Sequence, residues 1–365
     1  MKTGMALIFQ NPGNARSDRE VYEKELALGD QAEALGFDSL WSVEHHFTDY
    51  TMCPDVVQFL SYFAGRTKNI QLGSAVVVLP WHDPVRVAEE VSMLDNMSGG
   101  RMILGIGRGL GRVEFEGFRL DMNQSRGRFV DYAQMLLEGL ENGYVEFDGE
   151  HIKQPRRDIR PAPFKSFRGR TYAAAVSPES VEIMAKLGVA ILVIPQKPWE
   201  ELIPELESYR AKFQQYTGEE APPCAQFGWV YCHEDEEKAR EGAMKYIGGY
   251  FESVMKHYEF RDTHLQKTKG YEYYGKMQEG IKEHGDDAAV QAFVDLQIWG
   301  TPEQCVEKIA NISNRIRSDS FTGVFSFAGM EWADAERNMK LFAKDVKPHL
   351  QRLAPIGERV RAAAE

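Results

Sequence analysis

The chain has 365 residues, of which 43% are hydrophobic, enough for one large barrel or two medium domains. Its net charge of −12 gives it no electrostatic reason to seek DNA, RNA or anionic lipid, so any cationic patch must be local and built for one small anion. No apolar run approaches the ~20 residues that cross a bilayer, so no membrane partner is expected.

The opening MKTGMALIFQ reads as a first strand, not a signal peptide, and the four scattered cysteines lack CxxC spacing. Reduced thiols and a cytoplasmic location are the expectation. In chain order, eight short apolar runs read as buried parallel strands: Met5–Gln10, Ser39–Glu44, Ile70–Val78, Met102–Gly107, Thr171–Val176, Ala190–Pro195, Gln226–Cys232 and Thr322–Ala328. Amphipathic stretches with helical spacing separate them: Arg19–Leu35, Pro84–Met97, Ser125–Leu140, Ser177–Leu187, Trp199–Tyr216, Asp235–Tyr258, Thr301–Ile316 and Trp332–Leu353. A doubly wound open sheet has the same alternation. The count of eight, without a dinucleotide fingerprint, favours a single closed (β/α)₈ barrel over residues 1–365.

Two stretches interrupt the alternation. Residues 143–170 are polar around Asp148-Gly149 and read as a hairpin insertion. Residues 259–297, rich in Gly, Lys and Tyr, form a candidate mobile lid, with a surface excursion or dimer contact as the equal alternative. The segments 55–66 and 84–97 are candidates for a homodimer contact.

Barrel chemistry sits at the C-terminal ends of the strands. Strand 2 ends in Glu44-His45-His46, strand 4 in Gly107-Arg108-Gly109-Leu110, and strand 5 runs into Ser177-Pro-Glu-Ser180. Trp229, Tyr231, Phe325 and Phe327 add aromatic rings from the last two strands. Ser177 suits a helix N-cap whose free N–H groups attract an anion, and Arg108 from the neighbouring strand can add a guanidinium for a phosphate. Adjacent strand residues point to opposite faces, and no further ligand cluster accompanies Glu44-His45-His46. No metal is expected there, and His45 is read as a hydrogen-bond donor or general base. Gly105-Ile-Gly107-Arg-Gly109-Leu-Gly111 has the wrong spacing for a nucleotide loop, and its small residues let a cofactor approach the backbone.

The stretch LGSAVVVLPWHDPVRVAEEVSMLDNMSGGRMILGIGRGL (72–110) resembles the bacterial luciferase family block by block. So do WSVEHHF (41–47), FRLDMNQSRGRF (118–129), WGTPEQCVEKI (299–309) and MKLFAKDVKPHL (339–350), in the same order. The resemblance implies a (β/α)₈ barrel with insertions. It implies a two-component monooxygenase that takes reduced FMN from a separate flavin reductase and oxidises a small apolar or aromatic substrate with O₂ through a C4a-(hydro)peroxyflavin. By position, Arg108, Leu110, Ser177 and Ser180 match FMN-phosphate contacts, with Val176 beside them. Ser74-Ala75 matches a non-prolyl cis peptide beside the flavin ring, His45 matches the catalytic histidine, and 259–297 matches the lid. Val176 replaces an acidic residue, Pro195 stands near a tryptophan position, and Gly107 replaces a reactive cysteine. These departures weigh against light emission and long-chain aldehydes. A deazaflavin-dependent hydride-transfer enzyme and a non-catalytic flavin-binding relative are the competing readings.

Overall fold

The computed structural model describes residues 1–174, 177–275 and 285–364. Its strands are β1 (Lys2–Leu7), β2 (Ser39–Ser42), β3 (Gln71–Ser74), β4 (Val77–Val78), β5 (Met102–Gly107), β6 (Tyr144–Asp148), β7 (Lys153–Asp158), β8 (Thr171–Ala174), β9 (Ala190–Val193), β10 (Cys224–Cys232), β11 (Ile298–Gly300) and β12 (Ser318–Val324). All pairings are parallel except the β6–β7 hairpin, which lies inside the 143–170 insertion. The order β10-β12-β1-β2-β3-β5-β8-β9 returns to β10 through the pairing of Ala225 with Leu192, which closes an eight-stranded barrel. β4 continues β3 along β5, and β11 adds to the outer side of β10.

The helices that matter for the site are α1 (Asp18–Gly29), α2 (Val56–Arg66), α3 (Pro84–Met97), α4 (Arg112–Gly117), α5 (Ser125–Asn142), α6 (Pro178–Leu187), α7 (Trp199–Thr217), α8 (Glu236–Gly242) and α9 (Gly248–His257). A π-helical turn, Ala243–Ile247, joins α8 to α9 inside the single helix expected over Asp235–Tyr258. A short α10 (His264–Lys267) and α11 (Asp286–Leu296) fall in the stretch read as a lid. Within that stretch, residues 276–284 lie outside the described residues, as does Val176.

Two strands end earlier than the apolar pattern suggests. β1 stops at Leu7 and β12 at Val324, yet Phe9, Phe325 and Phe327 are buried beyond them. Phe9 and Ala328 have positive φ (51° and 53°), so the backbone leaves the sheet while the side chains stay in the core. The run Ile70–Val78 is likewise divided, with a cis peptide at Ala75–Val76 between β3 and β4. That bond is one residue beyond the expected Ser74–Ala75 position.

The glycines of β5 owe their place to this bend. A Cβ at Gly105 would sit 1.9 Å from the Ser74 carbonyl oxygen, and one at Gly107 would sit 2.4 Å from Val76 Cγ2. Gly105 makes room for the neighbouring strand, a correction to the reading that it admits a cofactor, whereas Gly107 and Gly109 border the cavity at the strand ends.

Outside the barrel, Asp95 is fully buried on α3, and Arg170 grips it with both ends of its guanidinium while stacking 3.7 Å over Phe167. All four cysteines are buried free thiols. Among the described residues, no helix is long and apolar enough to cross a membrane.

Candidate active site

At the C-terminal ends of the strands, a cavity of about 160 Å³ is lined by His45, Ala75, Arg108, Leu110, Ser177 and Ser180. Six of the residues singled out from sequence therefore meet in one place. Ser74 does not line it. Its hydroxyl donates to Gly105 O (2.9 Å) and accepts from Gly105 N (2.8 Å), so it fastens β3 to β5. Trp229, Tyr231, Phe325 and Phe327 do not line it either, a second correction. Tyr250 of α9 packs on Trp229, with ring centroids 4.2 Å apart, and both side chains are buried.

Ser177 is the N-cap of α6, with its Oγ accepting from Ser180 N at 3.3 Å and lying 2.9 Å from Ser180 Oγ. The free N–H groups of this helix start and its dipole favour an anion. Opposite stand two guanidinium groups. Arg108 follows β5, and Arg126, one residue into α5, lines the same cavity. Arg126 escaped the sequence reading because its segment carried only a helical pattern. Arg108 Nη1 and Arg126 Nη2 both donate to Gly270 O, at 2.8 and 3.0 Å. Arg126 Nε is buried without a hydrogen-bond partner. Two cations aimed at one acceptor, in a chain of net charge −12, form a cradle suited to a small anion such as a phosphate.

The strap that supplies this carbonyl is fixed in place. Tyr271 packs under Arg108 (3.9 Å) and donates towards Gly109 O (2.8 Å), with Ser125 Oγ at 3.0 Å. Tyr274 lines the cavity beside it.

His45 lies at the other end. Its Nδ1 is 2.8 Å from Glu114 Oε1, which also accepts from His46 N at 3.0 Å. Its Nε2 lies 3.4 Å from the Tyr258 hydroxyl. An Nδ1–H held by a carboxylate leaves Nε2 as the working nitrogen. Glu114 is buried on α4, and its carboxyl group has two opposing influences. Burial alone would raise its pKa, but His45 and His257 outweigh that and hold it at about 2. A second buried carboxylate, Glu44, accepts from Val78 N (2.8 Å) and contacts His82 Nε2 (2.6 Å) and His46 Nε2 (3.1 Å). Burial opposes its ionisation too, and the two imidazoles overcome it.

Sequence reasoning expected no carboxylate–histidine cluster at the strand ends, and the fold builds two. Glu114 came from a helix absent from the predicted elements, and His82 and His257 lie 37 and more residues from His45 in the chain. On its other side His45 borders an open basin of about 1250 Å³, which is shared with Thr48, Tyr50, Lys256 and His257.

A closed parallel barrel with a cationic pair, a capped helix start and a carboxylate-held histidine at its C-terminal end places this chain among the α/β-barrel proteins with their polar site at that end. The profile of the luciferase-like monooxygenases matches residues 1–317, and the chain belongs to that family. It is 30% identical to the alkanal monooxygenase alpha chain of Photorhabdus luminescens, over 96% of this chain and 98% of that protein. Among solved structures, it superposes on a monooxygenase from Streptomyces bottropensis with a TM-score of 0.78 at 24% identity, covering 96% of this chain and 99% of the other. It also superposes on the oxygenating constituent of 3,6-diketocamphane monooxygenase from Pseudomonas putida, a type II Baeyer–Villiger enzyme solved with FMN. There the TM-score is 0.73 at 18% identity, covering 97% and 99% of the two chains. These two likenesses establish the fold, a luciferase-like (β/α)₈ barrel.

Proposed function

We propose that this chain is the oxygenating component of a two-component flavin monooxygenase, receiving reduced FMN from a separate reductase and oxidising a small apolar or aromatic substrate with O₂. One observation carries the reading: Arg108 and Arg126 converge on a single acceptor in the cavity that also holds Ser177, Ser180, Ala75 and His45. In this reading the two guanidinium groups and the start of α6 hold the phosphate, and Ala75, Val76 and Leu110 border the ring. Reduced FMN, when bound, supplies the activation of O₂.

The protein's own residues bind, dry and protonate. Tyr258 and Tyr274 line the cavity and exclude water, which strengthens every polar contact inside it, and Tyr271 backs Arg108. Glu114 fixes the His45 tautomer, so that Nε2 takes or gives the proton. The chain works as a homodimer joined by the α2–α3 face, where Tyr62, Met93 and Met97 are exposed.

The test is flavin titration followed by turnover with a reductase under ¹⁸O₂, with products analysed by mass spectrometry. Labelled product is the expected result. Deazaflavin-dependent hydride transfer without label, or no turnover at all, would overturn the reading. His45→Ala is expected to retain FMN and release H₂O₂ in place of product at least about tenfold faster, the low end for losing an acid–base group.

A further inference from the structure

His257 is the last residue of α9 and sits beside both Glu114 and His45, facing the second carboxylate oxygen of Glu114, with its ring 5.1 Å from that of His45. Its Nδ1 is 3.0 Å from Thr48 Oγ1, and its ring stacks on Tyr50 with 4.4 Å between centroids. Its Nε2 lies 3.6 Å from Glu114 Oε2. Both atoms are buried, and neither has a hydrogen-bond partner. At 3.6 Å the charge is felt but no hydrogen bond forms, and a shift of about half an ångström at the end of α9 would make one.

We propose that His257 is a positioning residue that acts through Glu114 on His45, so that the protonation of His45 depends on how the segment starting at Tyr258 is seated. This rests on the reading of His45 as the acid–base group.

The physical argument is a competition for one carboxylate. Glu114 offers Oε1 to His45 and Oε2 to His257. A donor on Oε2 draws charge from the carboxylate and weakens its hold on a protonated His45. With Oε2 bare, His45 keeps its proton more tightly. Burial depresses the pKa of His257, and the nearby His45 adds to that against the raising pull of Glu114. Other groups facing the cluster are Tyr50, Tyr258 and Tyr250, whose hydroxyls burial keeps protonated, and His46, whose ring is held by Glu44. Asp49 is paired with Lys256, and Glu259 with Arg112. The latter charges are balanced by partners of their own, which leaves His257 as the group able to retune Glu114.

The connection to the strap is covalent and short. Tyr258 follows His257 directly, and its hydroxyl is 3.4 Å from His45 Nε2. Seating this segment therefore places a donor behind Glu114 and a hydroxyl in front of His45 in one movement.

The experiment is an NMR titration of the His45 ring in flavin-free protein, so it stands or falls separately from the FMN reading, which flavin titration addresses. His257→Leu removes the hydrogen bond to Oε2 that the seated segment makes, so the His45 midpoint is expected to rise by about half to one pH unit, and in Glu114→Gln it is expected to fall, because the anion is gone. His257→Gln, which restores a donor, is expected to return the midpoint to near the wild-type value. Limited trypsin digestion within residues 258–275 should vary with pH in the wild type, with its midpoint moving alongside that of His45 in His257→Leu. An unmoved His45 midpoint in His257→Leu, a shift of the same sign in Glu114→Gln, or a cleavage rate that ignores pH would each overturn the proposal.

Discussion

Arg108 and Arg126 share one acceptor, the Gly270 carbonyl, at 2.8 and 3.0 Å. Two like charges brought this close repel unless something negative lies near them, and a peptide dipole together with the exposed Glu179, 3.9 Å from Arg126, is a weak substitute for a bound anion. If a phosphate takes that place, each arginine contributes a charged hydrogen bond. Arg108→Ala and Arg126→Ala are each expected to weaken FMN binding by about 1.5–3 kcal/mol. The double variant should lose less than the sum, because both contacts serve one group. Fluorescence titration with FMN measures all three, and full affinity in both single variants would remove the pair from the phosphate site.

Glu114 makes acid stability a second prediction. Its carboxyl group has an ordinary pKa of 4.5 and a folded value of about 2, because His45 and His257 outweigh the effect of burial. A depressed carboxylate pKa contributes stability that is complete above the unfolded value and is lost as pH falls towards the folded one. The wild type should therefore lose more stability between pH 5 and pH 2 than Glu114→Gln does. Urea midpoints at several pH values within that window decide it, and parallel curves would show that the carboxylate is not stabilised by the fold.

Arg170 gives a prediction unconnected with chemistry. Its guanidinium holds Asp95, which has no exposed surface, with Nη2 2.7 Å from Oδ2. Removing one member of a buried pair strands the other. Arg170→Ala is expected to cost about 3–5 kcal/mol in denaturant unfolding. Adding Asp95→Asn should recover part of that loss, and a wild-type midpoint in Arg170→Ala would refute it.

Gly105→Ala probes the bend of β3. The new methyl would lie 1.9 Å from Ser74 O, a backbone atom that cannot swing aside as a side chain can. Overpacking of this kind costs about 1–3 kcal/mol or more. The strand would have to shift, carrying Ala75 and Val76 with it, so FMN affinity should fall along with stability. A variant as stable as the parent, measured by thermal unfolding, would show that β3 has slack there.

The barrel was legible because parallel strands buried on both faces leave near-continuous apolar runs, and the helices between them keep their periodicity. Strand ends were less legible. Phe9 and Phe327 are as apolar as any strand residue, but Phe9 is buried against Tyr22 of α1 and Phe59 of α2 and Phe327 against Tyr250 of α9 rather than by pairing, and composition does not separate the two cases. Arg108, Ser177 and Ser180 could be found because each sits next to a strand end or a helix cap. Arg126, Glu114 and His257 could not, since nothing local marks a helix residue that meets its partners only after the chain closes. His257 is 212 residues from His45 in sequence, and only the closure of α9 over the barrel brings them together.

The strap's carbonyl has a thermodynamic consequence. Any anion entering between Arg108 and Arg126 must first give back the two hydrogen bonds that Gly270 receives. Its measured dissociation constant is therefore a difference between two bound states rather than the strength of the cradle itself. A weak apparent affinity would accordingly coexist with strongly placed arginines, and loosening the strap alone would tighten the ligand.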